Sequence, residues 1–154
     1  MDVSNGFIYL DHMTDAIIEA YGSNLDEAFE NSARGLVNTM FDLSQVSPSQ
    51  EIKIEAKGYD LEGLLYDWLE KVMLVLLTEN VVLSDFKVKI SENEESGDYH
   101  YLLSCIAKGE SLDVKKHRYK VEIKAVTYHQ MEIKQEQQEA EGKNKVTTRF
   151  LLDL

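Results

Sequence analysis

The sequence predicts one α+β domain in two layers, with a mixed β-sheet of about seven or eight strands and two α-helices packed on one face of that sheet. Two segments repeat apolar residues every three or four positions, as amphipathic helices do. Most other segments alternate apolar and polar residues or form short apolar runs, as strands do. The 154 residues contain one proline and no internal repeat, so we expect a single domain over residues 1–154.

The N-terminal half is predicted to contain two short strands, a helix and a third strand. Phe7–Leu10 and Ala16–Tyr21 are the first two strands, joined by a tight polar connection. Asn24 is a suitable N-cap for the helix, and Glu27 follows three residues later, which is the capping-box spacing. A period of two then predicts a half-buried strand around Ile52–Ala56.

The chain from Asp60 onward is predicted to contain a more central helix followed by strands. The helix begins after Asp60, a second N-cap candidate, and it is more apolar than the first helix. Polar residues with turn formers predict a long hairpin loop at Gln135–Lys145. The strands are predicted at Leu83–Ile90, Tyr99–Gly109, Val121–His129, Met131–Lys134 and Val146–Leu154.

Charge and composition exclude several functions. The net charge of −12 argues against direct binding of nucleic acid, which requires cations to displace counterions from phosphates. An acidic surface can instead dock onto a basic partner. No apolar run approaches the ~20 residues of a membrane helix, and no basic stretch followed by an apolar core marks a secretory signal. With the single cysteine Cys105, these features predict a cytoplasmic protein that does not bind a membrane.

Two aspartates are the first candidate site, since the sequence lacks a Gly-rich phosphate loop, Gly-x-Ser-x-Gly and His-Glu-x-x-His. Asp15 closes the loop after the first strand, and Asp153 ends an apolar strand. If these strands are neighbours, the two carboxylates converge and repel each other. A divalent cation such as Ca²⁺, Mg²⁺ or Mn²⁺ would remove that conflict, and Leu154 could add an oxygen ligand. The alternative is that both aspartates are simply solvated.

A second candidate site lies on one predicted strand. Lys124 and Tyr128 share one face of it, and Thr127 and His129 share the other. A histidine at a strand end packs or forms hydrogen bonds more often than it acts as a base. His117 lies in a polar loop, where we expect it at the surface.

The ordered set of motifs resembles the archease family over nearly the whole chain. The first motif is similar to the family's Asp-His-Thr-Ala-Asp, with Met13-Thr14 in place of Thr-Ala. A later segment is similar to its Lys-Ala-Ile-Thr-Tyr-His-x-Met signature. The segments that carry the resemblance are Asp11–Asp15, Leu25–Asn31, Asp60–Leu69, Lys124–Met131 and Asp153-Leu154.

The resemblance implies a non-enzymatic accessory protein of an RtcB-type RNA ligase. Such a ligase joins a 3′-phosphate or 2′,3′-cyclic phosphate end to a 5′-hydroxyl in tRNA splicing and RNA repair. It becomes guanylylated on a histidine, using GTP and Mn²⁺, and archeases promote this step and repeated turnover. The residues implied are Asp15, Asp153 and Leu154 for a divalent metal ion, and Lys124, His129, Tyr128 and His12 for contacts with the ligase or its phosphate groups.

Two other functions stay open at this point. A general folding helper, or chaperone, would act through a contiguous exposed apolar surface and would protect unrelated proteins from aggregation. A hydrolase using His129 with an acid would place this histidine in a deep pocket and would turn over substrate without a partner.

Overall fold

The computed structural model describes residues 6–10, 14–93, 97, 99–138 and 143–154. A single 3₁₀ turn, Leu43–Gln45, follows the first helix. None of the described helices has the length and apolar character needed to cross a membrane. The elements are, in chain order, β1 (Phe7–Leu10), β2 (Asp15–Gly22), α1 (Leu25–Met40), β3 (Gln50–Gly58), α2 (Leu61–Glu79), β4 (Val81–Glu92), β5 (Tyr101–Ser111), β6 (Ala125–Gln138) and β7 (Lys143–Asp153).

The seven described strands form two antiparallel sheets. The four-stranded sheet has the order β1-β2-β7-β6, and the three-stranded sheet has the order β3-β5-β4. The first sheet joins strands from both ends of the chain, whereas the second is built from its middle. The α+β class, the two helices and the strand number are confirmed. The described strands divide between two sheets, however, and all their pairings are antiparallel, so the sheet is not the single mixed one of the sequence prediction.

Helix side chains occupy the outer edges of the three-stranded sheet. On β4, the Val88 N–H donates to Glu30 Oε2 at 2.9 Å, and the Ile90 N–H donates to Asp26 Oδ1 at 3.0 Å. A carboxylate of α2 accepts a backbone N–H of β3 in the same way. These bonds satisfy N–H groups that a neighbouring strand would otherwise use, which helps to keep the two sheets separate.

Both helices begin where the capping residues predict. Asn24 Oδ1 accepts a hydrogen bond from the Glu27 N–H at 2.8 Å. Asp60 Oδ1 accepts one from the Gly63 N–H at 2.7 Å. Each bond satisfies a backbone donor that the first turn of a helix leaves without an intrahelical partner. Asn80 caps the C-terminus of α2, and its φ of 57° is the left-handed conformation that commonly terminates helices.

One hydrophobic core lies where the helices meet the two sheets. α1 packs on β2 and β4, and α2 packs on β3 and β6, so each helix contacts both sheets. Trp68 of α2 is fully buried, and its indole N–H donates to the Phe29 carbonyl of α1 at 2.9 Å. This bond satisfies the only polar atom of the Trp68 side chain, so the ring is buried without an unpaired donor.

The hairpin of β6 and β7 differs from the sequence prediction. The predicted long loop at Gln135–Lys145 is wrong, because β6 continues to Gln138 and β7 begins at Lys143, with Gln135 opposite Val146. The polar side chains at the end of β6 and the beginning of β7 are largely exposed, so these residues do not alternate with apolar ones in the sequence.

The beginning of β6 also differs. The predicted strands at 121–129 and 131–134 form one interrupted strand, which begins at Ala125 rather than Val121. Ile123 and Val126 are buried while Ala125 is exposed, so burial does not follow a strict period of two through this segment.

His117 is fully buried, so its predicted surface position is wrong. Its Nδ1 accepts the Asp113 N–H at 3.0 Å, which leaves Nε2 to donate to Glu110 Oε2 at 3.1 Å. Glu110 also accepts the Ser47 N–H at 2.6 Å and a bond from Lys116 Nζ at 2.9 Å. These three hydrogen bonds, that of Ser47 foremost, lower the pKa of Glu110 to about 2. The cluster fixes the loop after β5 to the segment before β3.

Candidate metal centre

Asp15 and Asp153 lie directly opposite each other in the four-stranded sheet. β2 and β7 pair antiparallel, and Asp15 is the register partner of Asp153. Residues opposed in this way project from the same face, with Cβ atoms about 4.5–5.5 Å apart. The expectation that the two strands are neighbours is confirmed, and their register places the two aspartates opposite each other. Metal binding by them stays a prediction.

Buried residues of both strands fix this register. Ile18 of β2 is paired with Phe150 of β7, and neither is exposed to solvent. Leu152, also fully buried, lies beside Asp153 in sequence. Because side chains alternate between faces, these residues direct Asp15 and Asp153 to the opposite face. A slip of one residue between the strands would exchange a core residue for a carboxylate, so burial specifies the juxtaposition.

A third strand holds the backbone beside the pair. The Lys124 N–H donates to the Asp153 carbonyl at 2.7 Å, and Ala125 is the register partner of Asp153 on β6. Asp15 is half-buried and Asp153 is exposed, so solvent and an ion can reach the pair. Leu154 is half-buried and packs against the core, which fixes the main chain directly after Asp153.

The donor chemistry fits a hard divalent cation. Ca²⁺, Mg²⁺ and Mn²⁺ favour carboxylate, carbonyl and water oxygens, and the site offers two carboxylates and neighbouring main-chain oxygens. Within the described part of the chain, no group of three or more His, Cys, Asp or Glu side chains could hold a metal ion. A cation between Asp15 and Asp153 could take further oxygen ligands from the main chain, such as one from Leu154, and from water.

The other predicted contact residues are placed differently. Lys124 lies next to the pair through its backbone, and its side chain is exposed. His12 lies outside the described residues. Tyr128 stacks on Tyr66 of α2, an aromatic contact that the sequence prediction missed. The sequence did draw attention to both tyrosines, because each lies in a segment that resembles the family, Tyr66 in Asp60–Leu69 and Tyr128 in Lys124–Met131.

A bulge interrupts β6 at His129. The pairing with β7 shifts register between Thr127 and Glu132, and Gln130 adopts a φ of 58°. The His129 N–H donates to Thr127 Oγ1 at 3.2 Å, and the His129 side chain is exposed. An exposed histidine on a bulge does not support the hydrolase hypothesis, which requires an enclosed pocket around it.

Comparisons with known proteins agree on one family. The model described as the Archease protein family (MTH1598/TM1083) matches residues 7–154. A "Protein archease" of Pyrococcus furiosus is 42% identical over 125 residues, covering 81% of this chain and 85% of the relative. Another, of Methanothermobacter thermautotrophicus, is 38% identical over 149 residues, covering 97% of this chain and 99% of the relative.

A solved structure has the same fold. It is the solution structure of Methanobacterium thermoautotrophicum protein 1598, with a TM-score of 0.74 and 34% sequence identity. The match covers 97% of this chain and 99% of that chain. The chain therefore belongs to the archease family, and this membership supports a role as an accessory protein.

Proposed function

We propose that this protein activates an RtcB-type RNA ligase by holding a divalent cation between Asp15 and Asp153. The observation that carries the proposal is the direct opposition of these two acidic side chains on one sheet face. Like charges in this position destabilise a sheet unless something neutralises them. A bound Ca²⁺, Mn²⁺ or Mg²⁺ would use both carboxylates as ligands, and a main-chain oxygen of Leu154 would complete the protein's share.

The cation would act on the phosphates of the nucleotide that the ligase uses. Guanylylation brings the triphosphate of GTP next to a nucleophile, and this step needs neutralisation of the negative charge that develops on the phosphate oxygens. The pair projects from the face opposite the core residues Ile18 and Phe150, and Asp153 is exposed, so the site is accessible to a partner. The protein would position the ion, and the ligase would perform the chemistry in tRNA splicing or RNA repair.

Two features support an accessory rather than a catalytic role. Burial raises the pKa of the Cys105 thiol to about 12, so this cysteine stays protonated and cannot serve as a nucleophile near neutral pH. The net charge of −12 suits docking onto a basic protein surface and disfavours direct binding of RNA. We propose that the protein acts in the cytoplasm, through the ligase.

A guanylylation assay tests the proposal. The ligase is incubated with GTP and Mn²⁺, with or without this protein, as wild type, Asp15→Asn or Asp153→Asn. Loss of a metal ligand should reduce the stimulation by about tenfold or more. Asp85→Asn is the matched control, because Asp85 is an exposed acid on β4 of the other sheet, and this variant should stimulate normally. Normal stimulation by both metal-site variants would refute the proposal.

A further inference from the structure

Two stacked tyrosines lie beside the first turns of α2. The rings of Tyr66 on α2 and Tyr128 on β6 have centroids 4.3 Å apart and planes within 4° of parallel. A Cβ built on Gly63 would lie 4.0 Å from Tyr128 Oη, so the Tyr128 hydroxyl reaches the first turn of the helix. Tyr128 is nevertheless 56% exposed. The pair therefore presents an aromatic surface to solvent.

Acidic side chains surround this aromatic surface. The tyrosines border an open cleft of about 630 Å³, which is also lined by Asp60, Glu62 and Asp67. Desolvation raises the pKa of Tyr128, and the negative charges of Asp60, Asp67 and Glu70 raise it further. The field of these carboxylates thus reaches the Tyr128 ring.

The two lysines that line the cleft are already engaged. Lys71 Nζ forms an ion pair with Asp67 Oδ1 at 2.8 Å. Lys57 Nζ lies 5.5 Å from the centroid of the Tyr99 ring. Four carboxylates, counting Glu70, thus face two lysines, and the cleft keeps a negative excess beside the Tyr128 ring.

We propose that this cleft binds an arginine side chain from a basic segment of a partner protein. A guanidinium is planar, stacks on tyrosine faces and forms paired hydrogen bonds with carboxylates, so it suits both parts of the cleft. A nucleotide could stack on the same rings, but its phosphate would be repelled by the carboxylates.

The cleft and the candidate metal centre lie on opposite faces of the four-stranded sheet. Tyr128 is three residues along β6 from Ala125, the register partner of Asp153, which is about 10 Å of strand, and its ring packs on α2. The two sites are therefore separate. The proposed binding of arginine does not depend on a metal ion or on RNA ligase activation, and it goes beyond that function.

The test uses NMR titration of the metal-free protein with the peptide acetyl-Gly-Arg-Gly-amide. We expect shifts in the backbone signals of Glu62, Gly63 and Tyr128, with weaker binding of the lysine peptide and of adenosine monophosphate. Tyr128→Leu should weaken arginine binding about two- to fivefold, the contribution of one exposed cation–π contact. Glu62→Gln should weaken it as well.

Tyr119→Leu is the matched control. Tyr119 is 49% exposed and packs edge-on against Phe41, and it does not line the cleft. This variant should bind the arginine peptide as wild type does. Unchanged affinity in Tyr128→Leu, equal binding of the lysine peptide, or tighter binding of adenosine monophosphate would overturn the inference. None of these outcomes bears on the guanylylation assay, so the two proposals can fail separately.

Discussion

Strands β2 and β7 meet at two places with opposite electrostatics. At one, Glu19 is the register partner of Arg149, whose guanidinium lies 3.7 Å from the Glu19 carboxylate and 4.0 Å from that of Glu132 on β6. At the other, four residues away on the same face, Asp15 faces Asp153. The first place combines opposite charges, and the second combines like charges.

The difference separates structural from functional use of charge. Opposite charges across strands stabilise the sheet, whereas directly opposed like charges destabilise it, in each case by about 0.2–1 kcal/mol. The Glu19–Arg149 pair shows that an acidic residue can lie opposite a basic residue in this pair of strands. Within the pairing of β2 and β7 the acid–acid pair is thus the less favourable combination, and the proposed cation would neutralise its repulsion. The following substitutions test this comparison.

Reversing the charge of Arg149, opposite Glu19, should have the largest effect on stability. Arg149→Glu removes both ion pairs and places three acids side by side across β2, β7 and β6. We expect the free energy of unfolding to fall by about 1–2 kcal/mol, from lost pairing and added repulsion. Urea denaturation at pH 7 measures the change. Arg149→Gln separates the two causes and should lose about half as much. A fall no larger in Arg149→Glu than in Arg149→Gln would show that like charges are tolerated here.

Neutralising one acid of the Asp15–Asp153 pair should change the free energy of unfolding by a smaller amount and in the opposite direction. Without divalent metal, Asp153→Asn should raise the free energy of unfolding by about 0.2–1 kcal/mol, because the repulsion with Asp15 is removed. Glu19→Gln is the matched control, since the same chemical change there removes an attraction and should lower stability. Urea denaturation in the presence of a chelator compares the two variants. A loss of stability in both would contradict the proposed difference between the two places.

Local features of the fold were predictable from the sequence. Asn24 and Asp60 marked the helix starts, because each side chain bonds a backbone N–H three residues later, a relation that is fixed by local geometry. The proximity of Asp15 and Asp153 was predictable only as a condition, that their strands should be neighbours. The pairing of β2 with β7 confirmed that the two strands are neighbours.

Features that depend on long-range contacts were missed. The division into two sheets depends partly on hydrogen bonds from β4 to α1 carboxylates, which link residues far apart in the chain. His117 lies in a polar segment, but Glu110 and the backbone satisfy its ring nitrogens, so it can be buried. The hairpin of β6 and β7 has exposed polar side chains, which do not produce the apolar alternation of a half-buried strand.

The central claim is that one divalent cation binds between Asp15 and Asp153. Titration of the isotopically labelled protein with Mn²⁺ tests it directly, because the paramagnetic ion broadens the NMR signals of nearby amides. Binding between the two carboxylates predicts that the signals of Ala16 and Leu152, adjacent in sequence to the two aspartates and paired across the strands, broaden first and together. It also predicts that this broadening is lost in Asp153→Asn. Broadening that begins elsewhere, or that persists in the variant, would contradict the claim.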